Sequence, residues 1–265
     1  MNRHHAAWIE RLARFGYAAK GIVYATVGII AAKAAFSSGS PEGSRDALSA
    51  IAAQPFGQLM LAIVAVGLFG YVLWRLVQAI KDPEHGNATE AKDIVRRIGY
   101  GMSGLTYASL ALSATRIITT GQDSSSGGNS AQTWTAKLMS QPFGQWLVGT
   151  LGALAIGFGV YYFYRAFSNK FRKKLKFHQM PENTQKLVIG IARFGLSARG
   201  VVFILIGGFL IQAARTFDPE KVETSEGVLQ QLSQRPFILF AVALGLISYG
   251  LYLGIQARYR RIPVN

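Results

Sequence analysis

Ala13-Arg14-Phe15-Gly16-Tyr17, followed by Gly21 and Tyr24, decides the fold, because the chain writes it three times. It returns as Arg96-Arg97-Ile98-Gly99-Tyr100 with Gly104 and Tyr107, and as Ala192-Arg193-Phe194-Gly195-Leu196 with Gly200 and Phe203. After each copy come a polar loop, a proline and a longer apolar stretch. The prolines sit in Gln54-Pro55-Phe56-Gly57, Gln141-Pro142-Phe143-Gly144 and the looser Gln234-Arg235-Pro236-Phe237. A pattern recurring at this spacing is one supersecondary unit repeated. Here the unit is a pair of apolar helices.

Composition places the pairs in a membrane. Half of the 265 residues are hydrophobic, and the mean hydropathy is +0.24. Ala47 to Trp74, Leu138 to Tyr164 and Pro236 to Ala257 carry no charge. About 20 apolar residues cross a hydrocarbon core of roughly 30 Å. The first helix of each pair is less clean: Phe15–Phe36 holds Lys20 and Lys33, Ile98–Ile118 holds Arg116, and Phe194–Ala214 holds Arg199. These cations lie towards helix ends, where long stems let the charge snorkel to headgroups. The chain therefore reads as an all-α integral membrane protein with six transmembrane helices.

The repeats divide as residues 1–90 with spans about 15–36 and 56–80, residues 91–178 with spans about 98–118 and 143–167, and residues 179–265 with spans about 194–214 and 236–257. All three pairs enter from the same side, so they are parallel repeats, and the simplest arrangement sets them around a pseudo-threefold axis along the membrane normal. The N-terminal apolar segment reads as a retained first helix rather than a cleaved signal. Cysteine is absent, which excludes disulfides, thiolate metal sites and thiol nucleophiles.

A net charge of +15 would suit a nucleic-acid binder, but its placement does not. Only Lys33, Arg45, Arg116, Lys137, Arg215, Lys221 and Arg235 fall on the side of the three hairpin loops; the other 21 of the 28 Lys and Arg fall on the side of the termini. That asymmetry is the positive-inside pattern, which puts both termini in the cytoplasm of a bacterial inner-membrane protein. The densest cluster, Lys170, Arg172, Lys173, Lys174 and Lys176, follows the fourth span. It would rest on anionic lipid headgroups, each cation contributing about 1 kcal/mol near the surface. The expected partner is therefore membrane lipid, not nucleic acid; the sequence names no protein partner.

Tyr17, Gly21, Tyr24 and Gly28 share one helical face with spacing i, i+4, i+7 and i+11, as do Tyr100, Gly104, Tyr107 and Ala111, and Leu196, Gly200, Phe203 and Gly207. Small residues permit close helix approach in lipid, so Gly21, Gly28, Gly104, Gly200 and Gly207 read as helix-packing positions. The second helix of each pair ends in aromatic residues and a cation: Tyr71-Val72-Leu73-Trp74-Arg75, Tyr161-Tyr162-Phe163-Tyr164-Arg165, and Tyr249 to Leu253 with Arg258 later. These read as interface anchors. Each hairpin loop holds a short amphipathic stretch before its proline, opening at Ser44, at Ser130 or Thr133, and at Ser225. The expectation is three short interfacial helices on the outer side, capped by Ser or Thr. The prolines would open the following helices, and Gln122 to Ser130 would be a flexible loop.

The unit Arg-Phe-Gly-Tyr-x-x-Lys-Gly, the segment Leu-x-x-Ile-x-x-x-Pro-Phe-Gly and the ending Gly-Leu-x-x-Tyr-x-x-Trp-Arg resemble the bacterial membrane family called domain of unknown function 1206. The resemblance covers about residues 11–261 and departs in the third copy at Leu196, Arg235 and Leu253. It implies repeated membrane helix pairs and a bacterial origin, and no biochemical activity.

No catalytic set can be assembled from the chain. No Asp or Glu falls in an expected span, and His4, His5, His85 and His178 lie outside the spans. Membrane haem or metal ligation lacks its ligands, and the serines lack a histidine and acid to act with. Gly99-x-Gly101-x-x-Gly104 matches a dinucleotide fingerprint only formally, since no strand precedes it. Neither cofactor nor metal is expected, and the chain does not read as an enzyme.

One chemical feature is left. Arg14, Arg97 and Arg193 hold equivalent repeat positions, with Lys20, Ser103 and Arg199 deeper in the helices. Around an axis these cations would form an inward ring for anionic headgroups or a small anion. Otherwise each would snorkel separately to lipid. The first functional reading is a structural or interaction protein with anionic-lipid contacts. The second is a small transporter or channel for an anionic or neutral solute, its path lined by Ser103, Thr106, Ser113, Thr150, Ser248 or Gln256.

Overall fold

The computed structural model describes residues 3–37, 43–81, 91–121, 127–168, 171–172 and 175–261. Six long helices dominate: α1 (Arg3–Ala34), α3 (Gly57–Lys81), α4 (Ala91–Thr120), α6 (Gly144–Phe167), α7 (Glu182–Thr216) and α9 (Pro236–Tyr259). Short helices α2 (Ser44–Ala52), α5 (Gly127–Met139) and α8 (Ser225–Leu232) occupy the hairpin loops.

Among the described residues five helices are long and apolar enough to cross a bilayer: Glu10–Ala34 within α1, Gly57–Ile80 within α3, and α6, α7 and α9. The sequence suggests six. The sixth, α4, is long enough, but Gly99, Gly101, Ser103, Gly104, Thr106, Ser109, Ser113 and Thr115 dilute its apolar content.

The first helix of each pair also begins earlier than its expected span. α7, with 35 residues, extends over roughly 50 Å at 1.5 Å per residue. Its charged first turns therefore project beyond a hydrocarbon core of roughly 30 Å. We call this end, where α1 begins and α9 finishes, the basal end.

The helices pack as an open chain in the order α4, α3, α1, α9, α7, α6. Among the described residues α4 and α6, partners in the middle repeat, barely touch. Two glycine-lined contacts hold neighbouring repeats together. A Cβ on Gly21 would lie 2.8 Å from the Gly250 carbonyl oxygen, and one on Gly207 would lie 2.5 Å from that of Gly152. Gly28 and Gly200 are equally tight, against Ile247 and Gly159. Gly104 is not, since its nearest neighbour is the Arg75 Cβ at 3.5 Å. The α3–α4 contact is thus looser than its two counterparts.

The loops correct several expectations. α3 and α6 begin after their prolines. Pro55-Phe56 and Pro142-Phe143 form tight turns, closed by Gly57 N–H on Gln54 at 2.7 Å and Gly144 N–H on Gln141 at 2.9 Å. Phe56 and Phe143 are left-handed, at φ 60° and 63°, which is strained for a bulky residue. Only Pro236 opens its helix as expected. α2 is capped from Gly43, whose N–H donates to Asp46 at 2.9 Å, and not by Ser44. α8 starts after Thr224, whose side chain makes no cap. α5 starts at Gly127, so Gly127–Ser130 is helical rather than loop. Residues 122–126 lie outside the described residues.

Candidate cationic cavity

The basal half of the bundle has a polar centre, which the helix phases dictate. Lys20 shares the inward face of α1 with Tyr17 and Tyr24. Arg75 follows Tyr71 by one turn on α3, and Arg165 follows Tyr162 on α6. Arg199 enters from α7, and Arg260 from the end of α9. Lys20, Arg75, Arg165 and Arg260 line one cavity of about 40 Å³ together with Tyr17, Tyr71, Tyr162, Tyr249, Tyr252 and Gln256. That is room for a few waters or one small anionic group. Among the described residues no carboxylate lines it.

Tyrosines carry these cations. Lys20 Nζ donates to Tyr71 Oη at 3.0 Å and stands over the rings of Tyr107 at 4.3 Å and Tyr71 at 4.6 Å. Arg75 donates to the same Tyr71 oxygen at 2.8 Å and to Gln78 at 2.9 Å. Arg199 donates to Tyr162 Oη at 3.0 Å and to Tyr24 Oη, with the Tyr249 ring 4.8 Å away. Tyr107 Oη donates to Tyr24 Oη at 3.0 Å. Arg260 lies over the Tyr17 ring at 4.7 Å and donates to Gln256 at 2.9 Å. Ring faces and phenol oxygens soften each charge, but none cancels it. Tyr252 Oη is buried there with no hydrogen-bond partner among the described residues.

Of the two arrangements open to Arg14, Arg97 and Arg193, an inward ring or separate snorkelling, the structure shows no ring of the three. Arg14 instead caps α9, donating to the carbonyls of Ala257 at 2.9 Å, Arg258, and Arg260 at 3.1 Å, and it pairs with Glu10 at 2.7 Å. Arg97 caps α3 through the carbonyls of Ala79 at 2.9 Å and Ile80. A cation beside the last carbonyls of a helix satisfies groups that have no partner within the helix. Arg193 is exposed on α7. Of the five sequence candidates, only Lys20 and Arg199 meet at the centre.

Three central cations were read otherwise or missed. Tyr71 and Trp74, read as interface anchors, are fully buried, and Arg75 and Arg165 turn inward with the cavity. In the third repeat Arg260, not Arg258, reaches it. Counted from their turns, Tyr71 follows Gly57 as Phe158 follows Gly144, so Tyr161 is not the counterpart of Tyr71. Tyr161 and Tyr164 are exposed, as anchors would be.

Between α6 and α7, Phe171 and Leu175 pack against the α9 wall of the cavity. Phe171 is buried there against Tyr252, ring centres 6.0 Å apart. Leu175 bridges Arg260, and Lys176 N–H donates to the Tyr259 carbonyl at 2.9 Å. Lys170, Lys173, Lys174 and His85 lie outside the described residues, and His178 is exposed.

The sequence pattern of the family described as Domain of Unknown Function (DUF1206) matches residues 15–82, 98–169 and 194–260. The "Uncharacterized protein YxxB" of Bacillus subtilis (strain 168) is 38% identical over 259 residues, spanning 96% of this chain and 92% of that protein. No solved structure matches the chain. With the family's pattern found once in each repeat and a bacterial relative along nearly its whole length, the chain belongs to the DUF1206 family.

Proposed function

We propose that the protein is a non-enzymatic, six-span protein of the bacterial inner membrane that binds an anionic group in its cationic cavity. In this reading α4 is the sixth span and both termini are cytoplasmic, in keeping with the basic basal end. The contacts α9–α1, α3–α4 and α6–α7 are equivalent under the repeat. They support a pseudo-threefold arrangement with one seam, between α4 and α6, left open. The remaining basal cations contact anionic headgroups.

The observation that carries the reading is the convergence of Lys20, Arg75, Arg165, Arg199 and Arg260 without a carboxylate among the described residues. Like charges gathered in a low-dielectric interior each cost several kcal/mol unless a counter-charge joins them. An anion supplies it, and the surrounding groups are donors and cations suited to holding one. A transport path is less well supported. Thr106 and Thr150 are exposed and bond their own helices, as Ser248 also does. Gln256 accepts from Arg260, so these four of the six suggested residues are engaged elsewhere.

The test uses the full chain in nanodiscs of neutral lipid. Inorganic phosphate, sulfate or phosphatidylglycerol should raise the thermal midpoint in a saturable way, and the double variant Arg75→Gln/Arg165→Gln should lose the effect. If none of the three shifts the wild-type midpoint, the reading fails.

A further inference from the structure

We infer that the anionic group is the headgroup of a phospholipid, admitted sideways through the seam between α4 and α6 with an acyl chain lying in that seam. This rests on the anion-binding reading and names its ligand.

Two faces form the seam. On α6, Leu147, Leu151, Leu154 and Phe158 recur at three- and four-residue steps, and the same stripe continues to Tyr162 and Arg165 at the cavity. The stripe faces α4, since Phe158 Cζ is the nearest atom to a Cβ built on Gly99, at 4.0 Å. On α4 the corresponding face is small and polar, with Gly99, Ser103 and Thr106. Leu151, Leu154 and Phe158 are 48%, 51% and 43% exposed, so among the described residues no protein group covers them.

A slot in a bilayer with an apolar α6 wall that runs to cations matches one chemistry: a hydrocarbon tail joined to an anionic head. Each end of such a ligand meets its complement, with the tail against leucines and the phosphate among donors. A free anion would use only the second half of this arrangement.

The chain has no cysteine, so the seam can be locked selectively. The double variant Gly99→Cys/Phe158→Cys, bridged by a short bismaleimide in nanodiscs, should bind phosphatidylglycerol at least about tenfold more weakly than the same variant unbridged. Native mass spectrometry of the retained lipid is the readout. In parallel, phosphatidylglycerol carrying a diazirine on its acyl chain should label wild-type α4 and α6 in preference to α1, α3 and α9. Equal lipid retention with and without the bridge, or labelling spread evenly over the helices, overturns the inference. So does a wild-type response to inorganic phosphate without one to phosphatidylglycerol, which would leave the anion-binding reading intact. Failure of all anions to bind removes both.

Discussion

The first and third repeats close their helix pairs, and the middle repeat does not. Gly16 and Gly195 bring the partner helix so near that a Cβ on either would lie 2.5 Å from the backbone nitrogen of Tyr71 or Tyr249. Gly99, written in the same motif, meets only the tip of Phe158 at 4.0 Å. The glycine permits close approach; something else must draw the helix in. In α3 it is the Tyr71 hydroxyl, which accepts from Lys20 and Arg75. In α9 it is the Tyr249 ring, set beside Arg199 and edge-on to Tyr24 at 4.9 Å. In α6 the corresponding Phe158 lacks the hydroxyl of Tyr71 and, among the described residues, the ring contacts of Tyr249, and α6 leans on α7 instead.

The contrast can be broken most severely at the glycines. Gly16→Val and Gly195→Val should each cost about 3 kcal/mol or more, the upper range for overpacking, while Gly99→Val should be nearly silent. Denaturation midpoints in one detergent decide it, and a similar loss at all three positions would mean that the middle pair closes like the others. A smaller effect is expected at the aromatic residues. Tyr71→Phe strips two cations of an acceptor and should cost about 1.5–3 kcal/mol. Phe158→Tyr should go the other way, drawing α6 inward and slowing thiol labelling of a Gly99→Cys background. Unchanged labelling would show that the missing hydroxyl is not what opens the seam.

The mildest test concerns the turns. Phe56→Gly and Phe143→Gly relieve a left-handed backbone and should stabilise by about 1 kcal/mol. Phe237→Gly, inside a helix, should destabilise by about the same amount. Chemical unfolding of the three variants settles the sign at each site.

Much of this architecture was legible because repetition carries it. The helix pairs, the short loop helices and the contacts at Gly21, Gly28, Gly200 and Gly207 follow from residues that recur at fixed spacing in lipid-length apolar stretches. The site was only half legible. Lys20 and Arg199 stand within apolar helices, where a cation is conspicuous. Arg75 and Arg165 stand where aromatic anchors with a neighbouring cation also end ordinary spans, and composition cannot tell which way such a helix end is turned. Arg260 lies just past the last turn of α9, beyond the motif that the repeats share, where it continues the face of Tyr249, Leu253 and Gln256 and pairs with Leu175. Arg14 and Arg97 misled for a related reason. Their equivalence by repeat is real, but Arg14 serves the terminus of α9 and Arg97 that of α3.

The modest apolarity of α4 bears on how the molecule is made. In the six-span reading a segment this rich in glycine, serine and threonine gains little by entering lipid alone. It settles there by covering α3, the helix synthesised just before it, whose last carbonyls Arg97 secures. During biosynthesis the unit that partitions into the bilayer would then straddle two repeats.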